Sequence, residues 1–205
     1  MTDEKIKVII VTDADRVACR TVEAAARNIG ARCISLSAGN PTPITGEQAV
    51  QLIKMAEHEP VVLMVDDRGK KGHGRGERVL EYVVRHPDTD VLGVVAVASN
   101  THNTEGIRVT ESIARNGSII NGPVDKCGNP EGAGHQLLEG DTVDILCDLN
   151  VNVIIGTGDT GKMDFADDYA RGAPITTKAL QEILNRSGYS HERNHGSNPQ
   201  SQQKI

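Results

Sequence analysis

The sequence predicts an α/β fold: a mainly parallel, five-stranded sheet with helices on both faces, three layers in all. Three observations carry this. Continuously apolar, β-branched runs recur ("IKVIIVT", "PVVLMV", "DVLGVVAVAS"), the composition of strands hidden on both faces. Segments with helical spacing follow them, at the length of a β–α unit. Strands that alternate with helices in this way require parallel pairing through right-handed crossovers.

The elements follow in order. "IKVIIVT" at 6–12 is a strand, and "RVACRTVEAAARNIG" behind it is a helix with Gly30 at its C-terminal cap. "ARCISL" is the second strand; after a Gly-Asn-Pro turn, Thr45 caps the helix "GEQAVQLIKMAEH", with Glu47 in its first turn. "PVVLMV" at 60–65 precedes the polar loop "DDRGKKGHGRG" and the helix "ERVLEYVVRH". "DVLGVVAVAS" is the fourth strand, followed by an ambiguous helical stretch at 105–115. Between 117 and 140, Gly, Pro and Asn break the pattern, which reads as a hairpin or ordered excursion. "DTVDILCDL" is a short helix, "NVNVIIG" the fifth strand, and "PITTKALQEILNRSG" a closing helix between Pro174 and Gly188. "VIIVT", "VVLMV" and "VVAVA" are expected as the central strands, residues 1–188 as one domain and the polar stretch 189–205 as a disordered tail. His191 and His195, four apart in that tail, have no carboxylate beside them to make a metal site.

Composition narrows the function. The core must be aliphatic, since aromatics are 2% of 205 residues, with one Phe, three Tyr and no Trp. That scarcity, with a formal charge of −6, argues against nucleic acid as a partner, because both base stacking and counterion release lack their residues. Cys19, Cys33, Cys127 and Cys147 form no C-x-x-C pair and read as reduced thiols serving as small core residues. The apolar runs fall far short of the ~20 residues of a membrane helix. The expectation is a soluble chain without direct membrane insertion.

In an open parallel sheet, ligands bind beyond the carboxyl ends of the strands. There the sequence places "TDAD", "DDRGKKGHGRG", "SNTHNT" and "GTGDTGK". The candidate ligand-binding residues are Asp13, Asp15, Asp66, Asp67, Asn100, His102, Gly156, Gly158, Asp159 and Lys162. Grouped carboxylates share a proton or hold a hard cation, so Asp13, Asp15 and Asp66 are the candidate ligands for Mg²⁺ or Ca²⁺. Capping and turn formation are the competing uses of Asp13, Asp15 and Asp66. Lys70, Lys71, His73, Arg75 and Arg78 lie among glycines, which suits either a solvated loop or one that grips an anion.

"GTGDTGKMD" comes within one residue of a phosphate-binding loop. Gly156, Gly161 and Lys162 satisfy G-x-x-x-x-G-K, but Met163 stands where Ser or Thr would ligate Mg²⁺, and Asp159 places a negative charge inside the loop. The glycines are expected to form one wall of a pocket, without nucleotide hydrolysis.

Two resemblances extend this reading. The apolar strand, D-x-D and helix at 8–30 resemble the metal-binding half of a Toprim domain. A Toprim-like fold is therefore the alternative to a Rossmann-like one, with Mg-dependent phosphoryl transfer or nucleic-acid chemistry at Asp13 and Asp15 as the implied activity. The catalytic glutamate of that family lies on an earlier strand, whereas only a few residues stand before the D-x-D strand in this sequence. More specific is the ordered set "VTDAD", "ARCISLSAGNPTPITG", "DDRGKKGHGRGE", "HPDTDVLGVVAVASNTH", "GPVDKCGNPE" and "GTGDTGKMDFADDYARGAPITTKAL", which resembles the stage V sporulation protein AE family of spore-forming bacteria over residues 6–189. That resemblance implies a soluble accessory component of the SpoVA machinery that moves calcium dipicolinate. It further implies membrane-embedded SpoVA proteins as partners, dipicolinate or calcium as candidate ligands, and a place at the inner spore membrane reached through those partners. It implies no catalytic residues.

Overall fold

The computed structural model describes residues 4–67, 74–99, 105–132, 134–140 and 142–190. β1 (Ile6–Val11), α1 (Arg16–Asn28), β2 (Arg32–Ile34), α2 (Gly46–Lys54), β3 (Val61–Met64), α3 (Arg75–Arg85), β4 (Thr89–Val97), β5 (Glu111–Ile113), β6 (Ile119–Ile120), β7 (Ile154–Thr157) and α4 (Pro174–Ser187) follow in the chain, with 3₁₀ turns at Ser35–Ser37, Asp144–Asp148 and Tyr169–Arg171. The strands form one sheet in the order β2-β3-β1-β4-β7-β5-β6, parallel except for the β5–β6 pair. The three strands expected at the centre, β3, β1 and β4, are all interior.

Side chains alternate across the sheet, as period-two strands must. Val8, Ile10, Leu63 and Val94 face α2 and α3, where Val50, Ile53, Leu80 and Val83 meet them. Ile9, Val11, Met64 and Val95 face α1 and α4, against Ala25, Ala26, Leu180 and Ile183. The chain moves one way across the sheet through α1 and the other way through α2 and α3 on the opposite face, so these crossovers share one hand. The core is aliphatic throughout.

Three expectations need correction. The sheet has seven strands among the described residues, because the 105–120 stretch adds β5 and β6 beyond β7. The helical stretch at 105–115 is extended chain. Thr110 is tied to β7 in both directions, its N–H donating to the Ile154 carbonyl at 2.7 Å and its hydroxyl accepting from the Ile154 N–H at 3.0 Å. Val109, Thr110 and Ile113 have the β-branched character that suits this role, and weak helical spacing masked it. The cysteines are not fully buried: Cys19 and Cys33 are half-buried and packed against the α1–α4 side of the core, Cys127 is half-buried and Cys147 is exposed. Burial, with the Glu23 carboxylate nearby, pushes the Cys33 thiol up to about 12.

Candidate functional site

Asp13 stands at the centre of the carboxyl edge. The residue before it, Thr12, locks the end of β1 to β4: its N–H donates to the Val95 carbonyl, and its hydroxyl accepts from the Val97 N–H, both at 3.0 Å. This leaves the half-buried Asp13 carboxylate pointing at the β7 loop, where the buried Thr160 hydroxyl donates to it at 3.4 Å. Burial, followed by the negative charges of Asp15, Asp159 and Asp66, holds Asp13 well above the usual carboxylate range. Side chains from the ends of β1, β3 and β7 therefore act on one another electrostatically.

The other aspartates have local duties. Asp15 caps α1, accepting from the Val17 and Ala18 N–H groups at 2.7 and 2.9 Å. Asp66 is buried, and its main chain is laced to Thr42: its N–H donates to the Thr42 hydroxyl at 2.8 Å, and its carbonyl accepts the Thr42 N–H at 2.9 Å. Asp67 reaches across its loop to α3, taking the Gly76 and Glu77 N–H groups on separate oxygens at 3.0 and 2.9 Å. Gly74 makes room for it, since a Cβ there would fall 2.2 Å from the Asp67 carboxyl carbon. Among the described residues no three His, Cys, Asp or Glu side chains could share one metal ion. The structure therefore gathers Asp13, Asp15 and Asp66 as neighbouring charges without forming a ligand set, because the Asp15 carboxylate is turned toward its own helix. The Toprim-like alternative gains no support from this geometry.

The loop after β7 is folded on itself. The Asp159 N–H donates to the Lys126 carbonyl, the Gly161 N–H to the Asp159 carboxylate and the Lys162 N–H to the Asp159 carbonyl, each at 2.9 Å. The Lys162 ammonium is ion-paired with Asp159. Amides and a lysine that would cradle an anion in a phosphate loop are thus already committed. Met163, in the position of the missing hydroxyl, is fully buried in the α1–α4 side of the core. Gly156 and Gly158 serve close packing. A Cβ on Gly156 would fall 2.3 Å from the Ser112 hydroxyl oxygen, and one on Gly158 would fall 2.5 Å from the Gly128 nitrogen.

Asn100 and His102 lie outside the described residues, as do Lys70, Lys71, His73, His191 and His195.

Sequence reasoning missed Thr160, Thr42 and the turn at 125–128 that supports the β7 loop. In that turn the Asp125 carboxylate accepts from the Cys127 and Asn129 N–H groups, both at 2.8 Å, and Gly128 adopts φ 74°. The D-x-x-G spacing of "DKCG" is the available signal, an Asp bonding to its own backbone two residues on. Also missed was Asp167, fully buried, which starts α4 by accepting from the Ile175 and Thr176 N–H groups at 2.7 and 3.0 Å and from the Thr176 hydroxyl at 2.6 Å.

The model of one protein family, described as stage V sporulation protein AE1, matches residues 7–187, from β1 to the last residue of α4. Searches of curated proteins and of solved structures each found no match.

Proposed function

Because the chain belongs to the stage V sporulation protein AE1 family, a component of the SpoVA system of sporulation, we propose that it is an accessory protein in the movement of calcium dipicolinate. The observation that carries this reading is the span of the match, which takes in both faces of the sheet and every loop at its carboxyl edge. No helix among the described residues is long and apolar enough to cross a membrane. The reading therefore assigns attachment at the inner spore membrane to membrane-embedded SpoVA partners.

The carboxyl edge around Asp13 and Thr160 is the proposed ligand-facing part. Burial, and then the crowding of like charges, raises the energy of an ionised Asp13, and a cation brought close would lower it. Calcium already chelated by dipicolinate needs few protein oxygens, which suits an edge without a ready-made set of three ligands. The role is tested by deleting the gene in a sporulating host and measuring the dipicolinate content of mature spores and its release on germination. The expected result is a loss of one or the other, restored by the parent chain and poorly by Asp13→Ala. Normal loading and release without the protein would remove the proposal.

A further inference from the structure

α3 has a second face. Gly76, Leu80 and Val83 are buried against the sheet, which leaves Arg75, Arg78, Tyr82 and Arg85 as an exposed stripe along the helix. The first turn of α2 forms the facing wall, so close that a Cβ on Gly46 would fall 2.4 Å from the Tyr82 ring. Between them runs an open groove of about 1020 Å³, with Ile44, Val79, Tyr82 and Pro87 supplying its apolar lining.

Its charge runs against that of the chain. Arg75 donates to the Pro43 carbonyl at 3.0 Å and Arg78 to the Gly74 carbonyl at 3.1 Å, contacts that orient the guanidinium groups without cancelling their charge. Arg85 pairs with Glu81 at 3.1 Å, and Glu47 is the other acid on the lining. Three arginines against two glutamates leave the groove positive in a protein of formal charge −6.

We infer that this groove docks an acidic amphipathic helix of another protein. At about 1.5 Å of rise per residue, Arg75 and Arg85 lie ~15 Å apart along α3. Carboxylates at successive turns of a helix lying alongside would meet the arginines in sequence, and an apolar residue between them would settle against Tyr82 and Ile44. A polyanion such as nucleic acid fits less well, because Glu47 and Glu81 interrupt the positive stripe. The inference stands on the groove alone, independently of any role in dipicolinate movement.

The test places a photo-crosslinking amino acid at Glu47, on the groove wall, or at Met55, which is 78% exposed at the end of α2 and outside the groove. The full chain carrying it is expressed in a sporulating host, and adducts are mapped by mass spectrometry. The expected result is an adduct from position 47, about tenfold weaker from position 55, whose cross-linked segment carries carboxylates at helical spacing. Arg75→Glu with Arg78→Glu should reduce it about tenfold, whereas Arg32→Glu, exposed on the edge strand β2, should leave it unchanged. If the double reversal fails to fold, Arg75→Gln with Arg78→Gln replaces it and should reduce the adduct in the same direction. Equal adducts at both positions, no adduct, an adduct to a second copy, lipid or nucleic acid, a segment without carboxylates, or indifference to the arginine changes would each overturn the inference.

Discussion

α1 and α2 begin from residues beside them, while α3 and α4 begin from aspartates well upstream. Asp15 and Thr45 cap the first pair, with side chain and helix adjacent in sequence. Asp67 and Asp167 cap the second pair, each fully or nearly buried and each reaching over a loop. A local cap stabilises a helix end and little else. A distant one also ties the segment that carries it to the helix it caps, because the carboxylate reaches the helix only while the two stay side by side. In this molecule the distant caps border the candidate site: one follows β3 and the other closes the segment after β7.

The difference sets a ranking of effects. Asp167→Ala should be the most costly, about 3 kcal/mol, since it removes three bonds to a buried charged acceptor at a helix N-terminus. A melting temperature lowered by roughly 6–12 °C would show it. Asp67→Ala, with two such bonds, should cost about 2 kcal/mol by the same measurement. Asp15→Ala, at an exposed local cap, should cost ~1 kcal/mol. If Asp15→Ala proved as harmful as Asp167→Ala in urea titration, the distinction between local and distant caps would collapse.

Asp13 should respond in the opposite sense. Its folded pKa lies above the unfolded value, so its charge weakens the fold at neutral pH, and stability falls as pH rises from the unfolded pKa through the folded one. Asp13→Asn should therefore raise the melting temperature at pH 7, and the gain should vanish as pH falls well below the unfolded carboxylate value, to about pH 3, where both states carry a neutral side chain. A stabilisation that persisted unchanged in acid would show that charge is not its cause. The smallest expected effect is zero: calorimetry with ATP or GTP and Mg²⁺ should give no micromolar binding, because the loop amides and Lys162 are engaged within the protein. Nucleotide binding lost in Lys162→Ala would contradict this.

The same contrast explains what the sequence disclosed. β1, β3 and β4 are legible because strands buried on both faces must be continuously apolar, and the local caps are legible because Asp15 and Thr45 sit directly before their helices. Pro174 and Gly188 mark α4 in the same local way. β5 and β6 are hidden because two- and three-residue strands are too short to show a period, and β5 joins the sheet through a β7 strand far along the chain. At the candidate site, Asp13 and its acidic neighbours were visible as residue types at strand ends. Thr160 and Asp167 were not, since what distinguishes them is which distant group each reaches. Gly156 and Gly158 are legible as glycines at a strand end, but what requires them is the close approach of the Ser112 side chain to one and of the Gly128 backbone to the other, which no local pattern records.

The contact between Gly158 and Gly128 also has a kinetic meaning. The β7 loop and the 125–128 turn press backbone on backbone, with the Asp159 N–H crossing from one to the Lys126 carbonyl of the other and the Arg115 N–H donating to Gly128. Neither loop can lift without breaking bonds that belong to its neighbour. The amides of Arg115, Gly128, Asp159 and Lys162 should accordingly exchange with solvent as one cooperative unit, with a shared opening free energy rather than four separate ones. Any side chain added at Gly158 should loosen all four together, so that this flank of the carboxyl edge beside Asp13 yields as a block or not at all.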